Sequence, residues 1–382
     1  MPALPTLFEM LSALIAIPSI SSMKSELDQS NKQLIMRLAD WSETIGLRCQ
    51  VQTIPNHPTK FNLIAQLGEG EQGLILAGHS DTVPYDITRW TTDPFHLTQA
   101  NQRFYGLGTS DMKSFFALAL AAIAQFNAKQ LRQPVILVAT ADEESSMSGA
   151  KYLAESTELS ARYALIGEPT NLQPIRMHKG IFMEAIHLTG LSGHSSDPKL
   201  GRNALEGMSQ VMGEVLNWRN ELQLRYQHPA FHVPVPTVNL GHIFGGDSPN
   251  RICGDCELHI DVRLLPGMIL KEIREELHHR VQQRIMNSGL DVQFISLFDG
   301  IAPMETPATS AIVQETERLT GHLAQAVAFG TEAPFLQQLG IETVILGAGD
   351  IAQAHQPNEF IAIERLNPMI HILTQLIHKF CM

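Results

Sequence analysis

Short apolar segments with the pattern of buried strands alternate with helical segments in residues 1–179, and the alternation returns near the carboxyl terminus. The predicted strands cover residues 62–67, 74–77, 135–140, 164–166 and 343–346. Strands that alternate with helices usually pair side by side in a parallel sheet. The sequence therefore predicts an α/β fold with a mostly parallel sheet flanked by helices. In such sheets, sites lie beyond the carboxyl ends of the strands.

A different pattern occupies residues 180–297. The segments 181–188 and 257–264 alternate apolar and polar residues, as half-exposed antiparallel strands do. We therefore expect residues 180–297 to form an inserted α+β domain. It separates the first part of the main domain, residues 1–179, from the second part, residues 298–382.

Composition and charge restrict the class of protein. The 382 residues include 39 acidic and 27 basic side chains, which give a formal net charge of −12. This surplus of negative charge argues against binding to nucleic acid or to an anionic membrane. The longest apolar run, residues 115–124, is shorter than the ~20 residues that span a bilayer. Because four cysteines are too few for a disulfide scaffold, we expect a cytoplasmic protein.

Histidine and acidic side chains follow the predicted strands at the edge where a site is expected. His79 comes just after the strand 74–77, and Glu168 follows the strand 164–166. Asp81 lies two residues beyond His79, where it can accept a hydrogen bond from the imidazole nitrogen that is not used for a metal. This pairing fixes the tautomer of a metal-binding histidine.

Three further positions carry the same kind of side chain. Glu143 and Glu144 follow the strand 135–140 directly, and adjacent carboxylates repel each other unless cations hold them. A solvated acidic loop is the alternative for this pair. Asp111 lies in a glycine-rich turn before a helix, which it could instead cap. His355 lies beyond the strand 343–346.

Together these residues predict a metal centre with two histidines and three carboxylates. Nitrogen and oxygen donors of this kind suit Zn²⁺, Co²⁺ or Mn²⁺. Five ligands are one too many for a closed tetrahedral zinc site, and they suit two ions that share one carboxylate. Three carboxylates and one hydroxide neutralise two divalent ions, as a buried site requires. One glutamate of the adjacent pair is then left over as a general base.

The motifs that carry these residues resemble the M20 family of co-catalytic zinc aminoacylases and carboxypeptidases. Each motif is short, but their order and spacing along almost the whole chain are specific. They cover residues 77–84, 89–95, 106–113, 139–144, 166–170, 193–198, 250–253, 331–334 and 353–357. The sequence departs from common family forms at Leu107, Ser114, Phe115, Ser145 and Cys253, none of which is a predicted ligand.

The resemblance implies a role for each residue of the metal centre. His79 and Glu168 are expected to hold one ion, Glu144 and His355 are expected to hold the other, and Asp111 is expected to bridge the two. The ions would be Zn²⁺, for which Co²⁺ can substitute. Asp81 is expected to orient His79, and Glu143 is expected to be the base that deprotonates the bridging water. The peptide bond between residues 111 and 112 is typically cis in such enzymes.

The resemblance also implies how the inserted domain works. Residues 180–297 are similar to the lid domain of the family, which usually makes the contact of a homodimer. His194 matches a lid histidine that stabilises the tetrahedral oxyanion. Asn250 and Thr331 lie in two segments that favour an N-acetylated amino acid as the substrate. Arg263 could pair with the substrate α-carboxylate through two hydrogen bonds, and Arg251 is the alternative.

The resemblance further implies hydrolysis of an N-acetyl amide, with N2-acetyl-L-ornithine, a small molecule of arginine biosynthesis, as the expected substrate. Succinyl-diaminopimelate or a dipeptide is the alternative, because relatives with these substrates share the metal ligands. A metal-free scaffold protein would have lost ligands, which are all present. A serine hydrolase lacks support because the sequence contains no G-x-S-x-G motif.

Overall fold

The computed structural model describes residues 4–156 and 159–382. The chain divides into two compact units. The first unit comprises Met1–Arg176, Thr306–Gln325 and Thr331–Met382, and the second comprises Met177–Glu305 and Ala326–Gly330.

The bounds of the helices and strands are as follows. In the described part of the chain, the α-helices are α1 (Leu7–Ile15), α2 (Lys32–Thr44), α3 (Lys113–Ile123), α4 (Ser148–Ser156), α5 (Ala204–Arg225), α6 (Leu270–Ile285), α7 (Ala311–Thr320), α8 (Ala333–Gln338) and α9 (Leu366–Cys381). Short 3₁₀ helices span Ile87–Arg89, Ala128–Gln130, Pro198–Leu200 and Ile363–Arg365. The strands are β1 (Arg48–Ile54), β2 (His57–Leu67), β3 (Leu74–His79), β4 (Thr98–Ala100), β5 (Arg103–Tyr105), β6 (Val135–Thr140), β7 (Tyr163–Ile166), β8 (Ile175–His178), β9 (Gly180–Thr189), β10 (Thr237–Gly245), β11 (Asp255–Leu264), β12 (Asp291–Ile301), β13 (Met304–Glu305), β14 (Gln325–Val327), β15 (Glu342–Ile345) and β16 (Phe360–Ala362).

The first unit is built on a sheet in which β1, β2, β6, β3, β7 and β15 are neighbours in that order. The four strands from β6 to β15 pair in parallel, whereas β1 and β2 add to them in antiparallel fashion. The sequence prediction of a mostly parallel α/β sheet is thereby confirmed. Strand β1 was not predicted, because an exposed edge strand with polar residues lacks the apolar signal of a buried one.

Helices pack on this sheet because their apolar side chains and those of the strands bury one another. Leu74 and Leu76 of β3 share a core with α1, α2, α3, α7 and α9. Helix α3 contacts both α1 and α9 and is buried along nearly its whole length, as expected for a helix that is apolar all round. Helix α1 begins with a capping box in which Thr6 and Glu9 bond each other's backbone N–H groups. No helix within residues 4–156 and 159–382 is long and apolar enough to cross a membrane.

The second unit has its own antiparallel sheet, in the order β10, β11, β9 and β12. Helix α5 packs against this sheet and against α6, and together they bury a core around Trp218 and Phe182. This unit extends further than the predicted segment 180–297. Within this unit, Met304 pairs with His178 in a short antiparallel ladder.

Candidate metal centre

The carboxyl ends of three neighbouring strands supply the centre of the site. Strand β3 ends at His79, β6 ends just before residues 142–144, and β7 ends just before Glu168. Since β3 pairs in parallel with both β6 and β7, the residues that follow the three strands emerge at one edge of the sheet. Sheet topology therefore brings together side chains that are far apart in the sequence.

All five predicted ligands meet at this edge. Nε2 of His79 lies 3.0 Å from Oδ1 of Asp111 and 3.9 Å from Oε1 of Glu168. Nε2 of His355 lies 2.9 Å from Oε1 of Glu144 and 3.5 Å from Oδ2 of Asp111. Asp111 thus faces one histidine with each of its two carboxylate oxygens. The Asp111–Met112 peptide bond is cis.

Glu143 lies within the same cluster. One donor atom from each of His79, Glu143 and Glu168 lies within 4.8 Å of the other two. The same holds for His79, Asp111 and Glu144. The cluster therefore contains a fourth carboxylate, in addition to the three carboxylates among the five expected ligands.

The hydrogen bonds of His79 show that the cluster requires a cation. Nδ1 of His79 lies 3.0 Å from the backbone carbonyl of Asp81, and a carbonyl can only accept. Nδ1 must therefore carry a hydrogen, so Nε2 of a neutral ring presents its lone pair to the carboxylate of Asp111. Two acceptors at that distance need a proton or a metal ion between them. In addition, Oε1 of Glu168 is buried and has no hydrogen-bond partner in the described part of the chain.

Burial and mutual repulsion make the carboxylates of this cluster costly to ionise. Burial, together with the charge of Glu168, raises the pKa of Glu143 well above the usual glutamate range. Burial and the charge of Asp111 do the same to the pKa of Glu168. Hydrogen bonds to Asp111 and Glu144 raise the pKa of His355 to about 10. The cluster thus favours bound positive charge, and hard or borderline divalent ions fit this donor set.

Asp81 is placed differently from the expectation. Its carboxylate oxygen Oδ1 lies 3.8 Å from Nδ1 of His79, so the imidazole is held by the backbone carbonyl of Asp81. The carboxylate instead accepts hydrogen bonds from the backbone N–H groups of Glu143, at 3.2 Å, and Glu144, at 3.0 Å. Asp81 therefore fixes the turn that presents the adjacent glutamates.

Glu359 is a buried residue of the site to which the sequence reasoning gave no role. Its carboxylate accepts hydrogen bonds from the backbone N–H groups of Gly108, Ser110 and Asp111, at 2.9, 2.7 and 2.9 Å. It therefore anchors the turn that ends in the shared ligand. The only signal in the sequence is that an acidic residue follows His355 four positions later.

Two other buried charged residues support the strand ends. Lys60 lies 2.6 Å from Asp28 and 2.8 Å from Asp142, which precedes the two adjacent glutamates. Glu332 accepts a hydrogen bond from the hydroxyl of Thr140, the last residue of β6. Sequence patterns assigned no role to either residue, although Glu332 lies in the motif 331–334, since each contact joins distant parts of the chain.

The predicted substrate-binding residues are distributed over both units. In the second unit, His194 and Arg251 form an isolated antiparallel bridge, and the backbone carbonyl of Asn250 accepts a hydrogen bond from Ser195. The ring of His194 contacts the hydroxyl of Ser196 at 2.7 Å. Three of the predicted residues of this unit are therefore adjacent to one another.

The remaining two residues lie elsewhere. Arg263, on β11, is paired with Asp261 through two hydrogen bonds of 2.9 and 3.1 Å. Thr331, in the first unit, is buried, and its hydroxyl accepts a hydrogen bond from the backbone N–H of Ala333 at the start of α8. In the observed geometry both side chains already have a protein partner.

A family profile and full-length relatives match this chain. The sequence profile of peptidase family M20/M25/M40 matches residues 75–379. An acetylornithine deacetylase of Edwardsiella ictaluri is 50% identical over 378 residues, covering 99% of this chain and 98% of the relative. One of Pectobacterium carotovorum is 48% identical over the same length, with the same coverage.

Solved structures share the fold at low sequence identity. An M20 family metallo-carboxypeptidase of Sulfolobus solfataricus superposes with a TM-score of 0.75 at 20% identity, covering 98% of this chain and 99% of the other. A dinuclear metal-binding peptidase of Bacillus subtilis, also of the M20 family, superposes with a TM-score of 0.66 at 16% identity, covering 98% and 97%.

Proposed function

The chain belongs to peptidase family M20/M25/M40, and from this premise we propose that it removes the acetyl group of N2-acetyl-L-ornithine to give L-ornithine and acetate. The chain is a hydrolase that acts on linear amides, and this reaction belongs to arginine biosynthesis. Support for the substrate comes from acetylornithine deacetylases that match almost the full chain at 48% to 50% identity.

The observation that carries the proposal is the convergence of two histidines and four carboxylates at one edge of the sheet. His79 and Glu168 would hold one divalent ion, Glu144 and His355 would hold a second, and Asp111 would contact both. We propose Zn²⁺ as the metal, with Co²⁺ able to substitute. Two such ions would polarise an amide carbonyl and lower the pKa of a shared water to about 7.

Glu143 is the proton-transfer residue of the proposal. It accepts a proton from the attacking water, whose oxygen forms a bond to the acetyl carbon. When the bond between that carbon and the amide nitrogen breaks, Glu143 gives the proton to the departing amine. Water is thereby divided between acetate and ornithine. Asp81 supports this step by holding the backbone N–H of Glu143.

The other predicted residues act on the substrate. His194 is proposed to donate a hydrogen bond to the oxyanion that forms during attack. Arg263, or alternatively Arg251, is proposed to bind the substrate α-carboxylate, and its present carboxylate partner would then be exchanged for the substrate. Asn250 and Thr331 are proposed to line the substrate site. We also propose a cytoplasmic homodimer whose subunits meet through the segment 180–297.

The test combines metal analysis with a substrate panel. Metal content by mass spectrometry should approach two divalent ions per chain, and acetylornithine turnover should be lost with a chelator and restored by Zn²⁺ or Co²⁺. The panel compares acetylornithine with succinyl-diaminopimelate and dipeptides. A higher kcat/KM for succinyl-diaminopimelate would replace the proposed substrate with that of a desuccinylase.

A further inference from the structure

A pocket opens beside His355 within the first unit. Its volume is about 180 Å³. One wall consists of His355, Gln356 and Pro357, and the other consists of residues 83–86 with Arg89 and Trp90. Since His355 is a proposed metal ligand, a substrate whose amide lies at the metal centre has this pocket directly alongside it.

The two walls of the pocket are joined by hydrogen bonds. Oδ1 of Asn358, three residues beyond His355, accepts from the backbone N–H of Thr91 at 2.7 Å and from its hydroxyl at 2.8 Å. Tyr85 packs its ring edge-on against Phe95, with centroids 5.3 Å apart. These contacts hold the segment that contains Tyr85 and Trp90 in a defined position relative to His355.

Asp86 is the acidic residue that lines this pocket. Its Oδ1 accepts from the hydroxyl of Thr88 at 2.6 Å and from the backbone N–H of Thr88 at 3.0 Å. These hydrogen bonds lower the pKa of Asp86, so the carboxylate is charged at neutral pH. Both bonds use Oδ1, so Oδ2 keeps its capacity to accept a hydrogen bond.

Asp86 forms no ion pair with the arginine in the same lining, although the positive charge of Arg89 also contributes to the lowered pKa of Asp86. Within residues 4–156 and 159–382, no ion pair joins Arg89 or any other basic side chain to Asp86 at 4.0 Å or less. A pocket lined by both an anionic oxygen and aromatic side chains suits an alkylammonium group, through a charged hydrogen bond and a cation–π contact.

The geometry points to Asp86 as the residue that selects a substrate with a positively charged side chain. Its carboxylate binds the terminal ammonium group, and Tyr85 and Trp90 cover the methylene groups that lead to it. This inference rests on the proposed function, because the ammonium of ornithine is the group that needs recognition. It adds a specificity residue that acts on the side chain and not on the amide.

The experiment compares Asp86→Asn with the parent enzyme on two substrates of the same shape. N2-acetyl-L-ornithine carries the ammonium, and N-acetyl-L-norleucine has a methyl group in its place. Asparagine keeps an oxygen that can accept from Thr88, so the turn is retained. Asp93→Asn is the matched control, since Asp93 also accepts a hydrogen bond from the backbone two residues later, at 2.9 Å from Phe95, but does not line the pocket.

We expect Asp86→Asn to lower kcat/KM for acetylornithine about tenfold and to leave kcat/KM for acetylnorleucine within about twofold. Asp93→Asn should leave both values unchanged. High salt should reduce the preference of the parent enzyme for acetylornithine and should not change that of Asp86→Asn, because added ions screen this contact. The unchanged rate with acetylnorleucine shows that the variant is folded.

Two results would overturn the inference. One is an equal loss on both substrates, which would mean that Asp86 supports the fold of the loop alone. The other is an unchanged kcat/KM for acetylornithine in Asp86→Asn. If the parent enzyme hydrolyses neither substrate, the proposed function itself is wrong, and the role of Asp86 is rejected with it.

Discussion

The two halves of the metal centre differ in how they are held. His79, Asp111 and Glu168 are 1%, 7% and 5% exposed, and two of the three follow strands of the central sheet directly. The side chain of His355 is 53% exposed, and a loop carries it. A charge in the buried half has no access to water, whereas a charge on His355 does. The buried half therefore depends more on its cation, and the open half is where a substrate can enter.

The largest effect is expected from a residue that belongs to the buried half but is not a ligand. Glu143→Ala should keep about two metal ions per chain and lower kcat by roughly 10²–10⁴, the usual contribution of a general acid and base. Metal analysis and steady-state rates on the same preparation check this. Retention of fast turnover by Glu143→Ala would remove the base from the mechanism.

His79→Ala and His355→Ala each remove one histidine, one from each half. They test whether the buried half depends more on its cation than the open half does. Without His79, the buried carboxylates of Asp111 and Glu168 lose a partner, which costs ~3–5 kcal/mol of unfolding free energy for buried charges. The side chain of Glu144 is 8% exposed beside the 53% exposed side chain of His355, so truncation of His355 opens a path for water to Glu144. His355→Ala should therefore lose one metal ion but less than about 1 kcal/mol. Denaturant unfolding of the metal-free variants measures both changes in unfolding free energy. Equal losses of stability would show that burial does not distinguish the halves.

The sequence predicted the ligands of both halves better than the contacts that hold those ligands in place, for a physical reason. Short apolar strands that end in His79 or Glu168 place those residues at one sheet edge, whichever turns follow. The backbone contacts that complete the site depend on exact loop conformations and on residues far apart in the chain. Glu359 bonds Asp111 across 248 positions, and no local pattern encodes such a contact. The carboxylate of Asp81, expected to face His79, instead bonds the backbone of Glu143 and Glu144, since the sequence does not specify which atom of Asp81 faces the imidazole.

Glu359 links the halves, because it shares a loop with His355 and binds the turn of Asp111. In Glu359→Gln, an amide nitrogen replaces one carboxylate oxygen and cannot accept the N–H groups it faces. We expect kcat to fall about tenfold and the affinity for one metal ion to weaken by a similar factor, as for residues that orient ligands. Glu364→Gln, at an exposed position of the next 3₁₀ helix, is the control. An unchanged metal affinity in Glu359→Gln would mean that the turn of Asp111 is held without Glu359.

The last comparison removes one hydroxyl beside the buried half and one beside the open half, and the exposed member of the pair has the smallest expected effect. Thr140→Val removes the hydroxyl that donates to buried Glu332, and a buried acceptor without its donor costs ~1–3 kcal/mol of unfolding free energy. Thr91→Val removes a hydroxyl that donates to Asn358 at an exposed position, where water can replace it. Thr91→Val should therefore change stability by less than about 0.5 kcal/mol. Its backbone bond to Asn358 remains, so the KM for acetylornithine should rise no more than about twofold. Because both variants lose one hydroxyl and gain one methyl group, a larger loss in Thr91→Val would contradict the division into a buried half and an open half.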